Sequence, residues 1–126
     1  MSKIVVKTLE APAAVGAYSQ AVTSEGFAFC SGQIGLDPET GELVKGTVAD
    51  ETRRCLDNLA AVLDAAGSSL VHVVKTTVYL TDMNDFAEFN EAYAEYFATD
   101  PPARATVGVA ALPKGARVEV ECIARI

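Results

Sequence analysis

The sequence predicts one α/β domain spanning residues 1–126, of the segregated α+β kind: a mixed six-stranded sheet with two helices on one face. Three observations lead there. Short runs rich in β-branched residues, bounded by Gly, Pro, Asp and Ser, occur at both ends of the chain and once in its middle. Two longer segments between them carry apolar residues at helical spacing. The resulting order is three strands, helix, strand, helix, two strands. Each strand-helix-strand step implies a right-handed crossover that lays its helix on the sheet. Two crossovers running the same way put both helices on one face and leave the other bare. The pattern leaves the strand order open, including whether the last two strands pair with each other.

Each element has its own warrant. Residues 4–9 (Ile-Val-Val-Lys-Thr-Leu) make a short first strand, and residues 10–16, with Pro12, Gly16 and several alanines, make a loop. Residues 18–23 and 26–31 read as a hairpin turning at Ser24-Glu25-Gly26. Asp37-Pro38-Glu39-Thr40-Gly41 is a turn, since Pro fixes one dihedral and Gly relaxes another. Thr47-Val48-Ala49-Asp50 has the spacing of a capping box. The helix it opens carries Cys55, Leu56, Leu59, Val62, Leu63 and Ala66 on one side, with Gly67 where a left-handed terminator belongs. Arg53, Arg54, Asp57 and Asp64 form its expected wet side. Residues 73–80 are apolar or β-branched on both faces, as an interior parallel strand covered on each side would be. A second helix over 85–98 buries Phe86, Phe89, Tyr93 and Phe97, and Asp100-Pro101-Pro102 stops it. In the last two strands Arg104, Thr106 and Gly108 share one face. Arg117, Glu119, Glu121 and Arg125 lie opposite the apolar Val118, Val120, Cys122 and Ala124.

Composition narrows the function classes. A chain of 126 residues and 13.2 kDa buries roughly two thirds of its unfolded surface, enough for one core. Half the residues are hydrophobic and mean hydropathy is +0.22, an excess that points to an apolar face covered by subunit association. A net charge of −7 argues against a nucleic-acid surface. Cys30, Cys55 and Cys122 are far apart in sequence, without a Cys-x-x-Cys pair, and read as reduced thiols. With no signal-peptide core after Met1 and no run long enough to span a bilayer, the expected location is cytoplasmic, with no membrane partner. His72 is the sole histidine, which leaves no Ser-His pair and no multi-histidine metal site, and the glycines form no phosphate-binding fingerprint.

Several stretches carry a resemblance. Residues 102–107 (Pro-Ala-Arg-Ala-Thr-Val), followed by Leu112-Pro113-Lys114-Gly115 and Val118-Glu119-Val120-Glu121, are similar to the C-terminal signature of the Rid family, the YjgF-type reactive-intermediate deaminases. The match continues in residues 16–21 (Gly-Ala-Tyr-Ser-Gln-Ala), 31–34 (Ser-Gly-Gln-Ile) and 74–80 (Val-Lys-Thr-Thr-Val-Tyr-Leu) and so covers nearly the whole chain in order. The resemblance implies a chorismate-mutase-like fold and a homotrimer with three sites between subunits. It implies deamination of 2-enamino or 2-imino acids of the 2-iminobutanoate/2-iminopropanoate kind, with water and without a metal or organic cofactor.

It also assigns expected roles. Arg104 would hold the substrate carboxylate, a task suited to the planar guanidinium fork. A salt bridge to Glu119 or Glu121 is the alternative. Glu119 would contact the catalytic water or the substrate nitrogen and move a proton, with Glu121 on the same face as competitor. Tyr18 would line the cleft, Ser31 and Gly32 would contact the ligand, and backbone groups near Gly32 and Thr106 would bind the substrate by orienting its nitrogen; a buried structural tyrosine and an ordinary Ser-Gly turn are the plainer readings. Thr106 stands where many members have cysteine, so a thiol nucleophile is missing there, and Ala17 replaces a common proline before Tyr18. A keto-acid-binding protein without turnover is the second reading, and a ribonuclease or translation inhibitor the third.

Overall fold

The computed structural model describes residues 2–126. Strands β1 (Ile4–Val6), β2 (Ala21–Ser24) and β3 (Phe27–Gln33) form an antiparallel meander. β1 ends before the β-branched run does, and β2 starts later than residue 18, for one reason. The buried Gln20 side chain takes over as partner: its carbonyl accepts from the Thr8 amide at 2.8 Å, and its NH2 donates to the Pro12 carbonyl at 2.8 Å. A local side-chain bond of this kind competes with the strand ladder. The β2–β3 turn places Glu25 and Gly26 at φ 53° and 83°, the two-residue geometry whose twist matches the flanking strands. Glycine takes that region freely, and Glu25 bears what strain there is.

Helix α1 (Val48–Ala65) begins at the predicted capping box, with Thr47 accepting from the Asp50 amide and Asp50 from the Thr47 amide at 2.9 Å. Its buried side includes Cys55, Leu56, Leu59, Val62 and Leu63, and Gly67 follows its end at φ 82°. Then come β4 (Val73–Leu80), α2 (Phe86–Tyr96), β5 (Ala103–Gly108) and β6 (Val118–Arg125). The sheet order is β1-β2-β3-β6-β4-β5. β6 runs antiparallel to both β3 and β4, so those two are parallel to each other, and α1 crosses over the gap that β6 fills. The last two strands therefore do not pair; β4 lies between them, parallel to β5.

Both helices pack on the same face. Phe89 and Tyr93 of α2 join Leu56, Leu59 and Val62 of α1 in one core over Val78, Val118 and Val120. β4 departs from the expectation of cover on each side. Thr76, Val78 and Leu80 are buried under the helices, whereas Lys75, Thr77 and Tyr79 on the opposite side are only partly covered. That open face also shows apolar side chains to solvent: Phe29 and Val107 are each 42% exposed, beside Val5 and Phe27. No helix among the described residues is long and apolar enough to cross a membrane.

Candidate active site

One group of the expected residues gathers at a cleft of about 520 Å³, lined by Val15, Tyr18, Gly32, Ile34, Lys114 and Glu119 among others. The irregularity in β3–β6 pairing between Cys30 and Gln33 lets the chain approach β6 closely at Gly32. A side chain there would collide with the Glu119 carboxylate, so only glycine leaves that carboxylate in place. Ser31 ties the preceding loop to β3: its amide donates to the Gln20 carbonyl at 3.0 Å and its hydroxyl to the Ser19 carbonyl at 2.6 Å. That fixes residues 19–20 and with them Tyr18, which is exposed at the cleft.

Glu119 projects from the open face of β6. Burial, and then the charge of Glu121, hold its carboxyl above the usual carboxylate range. Glu121, two residues on, accepts from the Tyr79 hydroxyl at 2.8 Å and does not line the cleft. The start of β6 is anchored from behind. Glu51, 1% exposed on α1, accepts from the Arg117 amide at 2.9 Å and pairs with the Arg117 Nε, while Arg117 Nη2 donates to the Gly46 carbonyl at 2.6 Å. Arg117 is thus not a freely solvated residue of the open face, as its place in the strand pattern suggests. Glu51 was missed too, although it continues the buried stripe of Cys55 and Val62 at helical spacing.

Arg104 and Thr106 sit elsewhere. Arg104 lies opposite Thr76, which lies opposite Cys122, so it points to the helix-covered side at the β5 edge. Its guanidinium stacks over the Tyr93 ring at 4.8 Å and stands 5.5 and 5.8 Å from the Phe86 and Phe89 ring centres. Nη1 donates to the Asn90 Oδ1 at 2.8 Å. Among the described residues Arg104 makes no ion pair, so the salt bridge to Glu119 or Glu121 is not formed. Both glutamates project to the other face, with β4 between. Thr106 shares the Arg104 face, and its Oγ1 is buried without a hydrogen-bond partner.

The aromatic seat and Asn90 were not foreseen as site residues. The spacing shows only that Phe86, Phe89, Asn90 and Tyr93 (i, i+3, i+4, i+7) share one helix face, not that this face carries a guanidinium. The single chain therefore holds the expected site residues in two separate groups. Tyr18, Gly32 and Glu119 line the cleft, with Ser31 next to Gly32 in β3, whereas Arg104 and Thr106 share the β5 edge, with Asn90 of α2 bonded to Arg104. No group of three or more metal-ligating side chains occurs among the described residues.

The family model described as Endoribonuclease L-PSP matches residues 8–126. The chain belongs to that family, the YjgF/Rid group. Relatives of this Rid-family chain include the rat (Rattus norvegicus) 2-iminobutanoate/2-iminopropanoate deaminase, 55% identical over 95% of this chain and 88% of the rat protein. A Yersinia pestis protein of the conserved Rid family, YyfA, superposes with a TM-score of 0.96 at 47% identity, covering 99% of this chain and 100% of that one. Escherichia coli TdcF with bound serine gives 0.92 at 42% identity, covering 97% and 98%. The Rid-family sheet with its two helices is thus common to this chain and to solved relatives.

Proposed function

We propose that this protein hydrolyses reactive 2-imino acids, formed from enamines such as 2-aminoacrylate, to 2-keto acids and ammonia at sites between the subunits of a homotrimer. The observation that carries this reading is the division of the site. One half offers a guanidinium fork whose Nη1 is held by Asn90, next to an unpartnered Thr106 hydroxyl. The other offers a half-buried carboxylate beside Gly32 and Tyr18. Neither half alone can bind and convert such a substrate. The open apolar face supplies a reason for copies to associate, and association brings one chain's Arg104 edge to another's Glu119 cleft.

The chemistry needs little else. Arg104 takes the substrate carboxylate in a bidentate pair, held flat by the Tyr93 ring and aimed by Asn90. The protonated imine carbon is electrophilic, so water adds to it once a base takes the water proton. Glu119, with its affinity for a proton raised by burial, accepts that proton and returns one to the nitrogen, which leaves as ammonia. Glu121, occupied by Tyr79, is the weaker candidate for this step. Thr106 offers its hydroxyl as a donor to the bound acid. No step calls for a metal or organic cofactor. Three free buried cysteines fit the reducing cytoplasm as its place of work.

The test is ammonia release above the uncatalysed rate from 2-aminoacrylate generated in situ. Keto-acid binding without such release would leave a binding protein. The ribonuclease reading gains no support from a chain of net charge −7.

A further inference from the structure

We propose that Cys30 and Cys122 form a redox-active cross-strand dithiol, which a peroxide-class oxidant closes to a disulfide, and that closure slows the reaction proposed above. The effect on turnover rests on that reading; the dithiol itself does not. Cys30 and Cys122 are direct partners across β3 and β6 and both face the helix-covered side. Direct antiparallel partners have Cα atoms about 4.5–5.5 Å apart, inside the range of about 4.4–6.8 Å that a disulfide spans. Cys55 is differently placed: its thiol is fully buried and donates to the Val118 carbonyl at 3.7 Å, and burial pushes it well up.

The interaction between the two thiols eases loss of the proton from Cys30 and opposes it at Cys122. Cys30 is 6% exposed, and a peroxide is small and uncharged. The Cys30 thiolate attacks one peroxide oxygen, breaking the O–O bond; a sulfenic acid forms and, with one proton, water leaves. The Cys122 sulfur then attacks the sulfenic sulfur, the S–S bond forms, and the hydroxyl departs as a second water. Two thiols lose two electrons and two protons, and one hydrogen peroxide becomes two waters.

The consequence for the site follows from register. Cys30, Cys122, Thr76 and Arg104 stand side by side across β3, β6, β4 and β5. Thr76 shares a hydrogen bond of 2.8 Å with the Tyr93 hydroxyl, and the Tyr93 ring carries Arg104. At the other end Ser31 and Gly32 follow Cys30 directly. Cross-strand Cβ atoms lie about 4.5–5.5 Å apart and disulfide Cβ atoms about 3.8 Å, so closure draws the two strands together by about 1 Å along the row that supports both half-sites. Displacements of about 1 Å at a reacting centre cost up to about a hundredfold in rate.

The experiment treats the native protein with hydrogen peroxide and reads intact mass, free thiols after denaturation, and turnover. Mass should fall by two hydrogens, free thiols from three to one, and a disulfide-linked peptide should join Cys30 to Cys122. Turnover should fall about tenfold or more and return with dithiothreitol. Cys55→Ala should behave like the native chain, and Cys122→Ala, folded by circular dichroism, should keep its turnover under peroxide. Three free thiols after treatment, oxygen addition in place of hydrogen loss, or a bridge through Cys55 would overturn the site. A closed bridge with unchanged turnover would overturn the link to activity. If the reduced protein hydrolyses nothing, the reaction reading fails by itself; the thiol count still decides the dithiol, and keto-acid affinity then reads the link.

Discussion

Arg104 gains its orientation from what lies beneath it, an aromatic floor and one amide oxygen. Replacing it with Ala leaves a substrate carboxylate unpaired, which typically costs about 2–5 kcal/mol, or roughly 30- to several-thousand-fold in kcat/KM. The loss of its stacking lowers stability by only about 0.5–1 kcal/mol, so fold and assembly persist. Arg104→Lys recovers part of the activity, because a point charge reproduces neither the fork nor its flat seat. Steady-state kinetics measured together with the thermal midpoint check this; full activity in the Ala variant would remove Arg104 from the site.

Glu119 calls for a different test. Glu119→Gln should lower kcat by about 10²–10⁴ while keto-acid affinity stays nearly constant. Because folding raises the Glu119 proton affinity, its contribution to stability is present below the ordinary glutamate range and is lost as pH rises through the raised value. The Gln variant should therefore match the native midpoint in acid and exceed it near neutrality. A native kcat/KM that rises with pH only above the ordinary glutamate range, and a variant without that limb, would identify the same carboxylate kinetically.

At the scale of elements, α1 and β6 are joined by an ion pair with only one buried member, since Glu51 is nearly inaccessible and the Arg117 side chain is 42% exposed. Arg117→Met strands the Glu51 charge and should cost about 2–4 kcal/mol, less than the loss of a fully buried partner. Glu51→Gln, which keeps an acceptor for the Arg117 amide, should cost less. Chemical denaturation of both variants gives the comparison, and equal losses would mean that the charge itself is unimportant. The helices were legible because the capping box and the 3.6 spacing act locally, through bonds between residues close in sequence. The length of β1 was not, because the Gln20 side chain, remote in sequence from Thr8, decides it. Neither was the Arg104 seat, since an aromatic stripe on a helix has the same spacing whether it fills a core or carries a guanidinium.

For the whole molecule, the exposed Phe27, Phe29 and Val107 on the open face make self-association the expected state, with a mass near three times 13.2 kDa in light scattering. Phe29→Glu should yield a folded monomer without measurable turnover, because each chain keeps its own core and loses the other's half-site. A folded, active monomer would sink the intersubunit reading. The open face was legible from the bare count of helices against strands. The strand order was not, because crossovers state which elements flank a gap and not which strand fills it.

That filler follows the other five strands of the sheet in sequence. Without β6 in place, β3 and β4 have no partner between them, and part of the bed for α1 is missing. A nascent chain can form its meander and its helices, but the sheet closes only when positions near 120 reach partners near 30 and 78. Such long-range pairing is slow, and two open strand edges wait meanwhile for any competitor. Closure of the sheet is therefore the late event, with the centre added after its flanks.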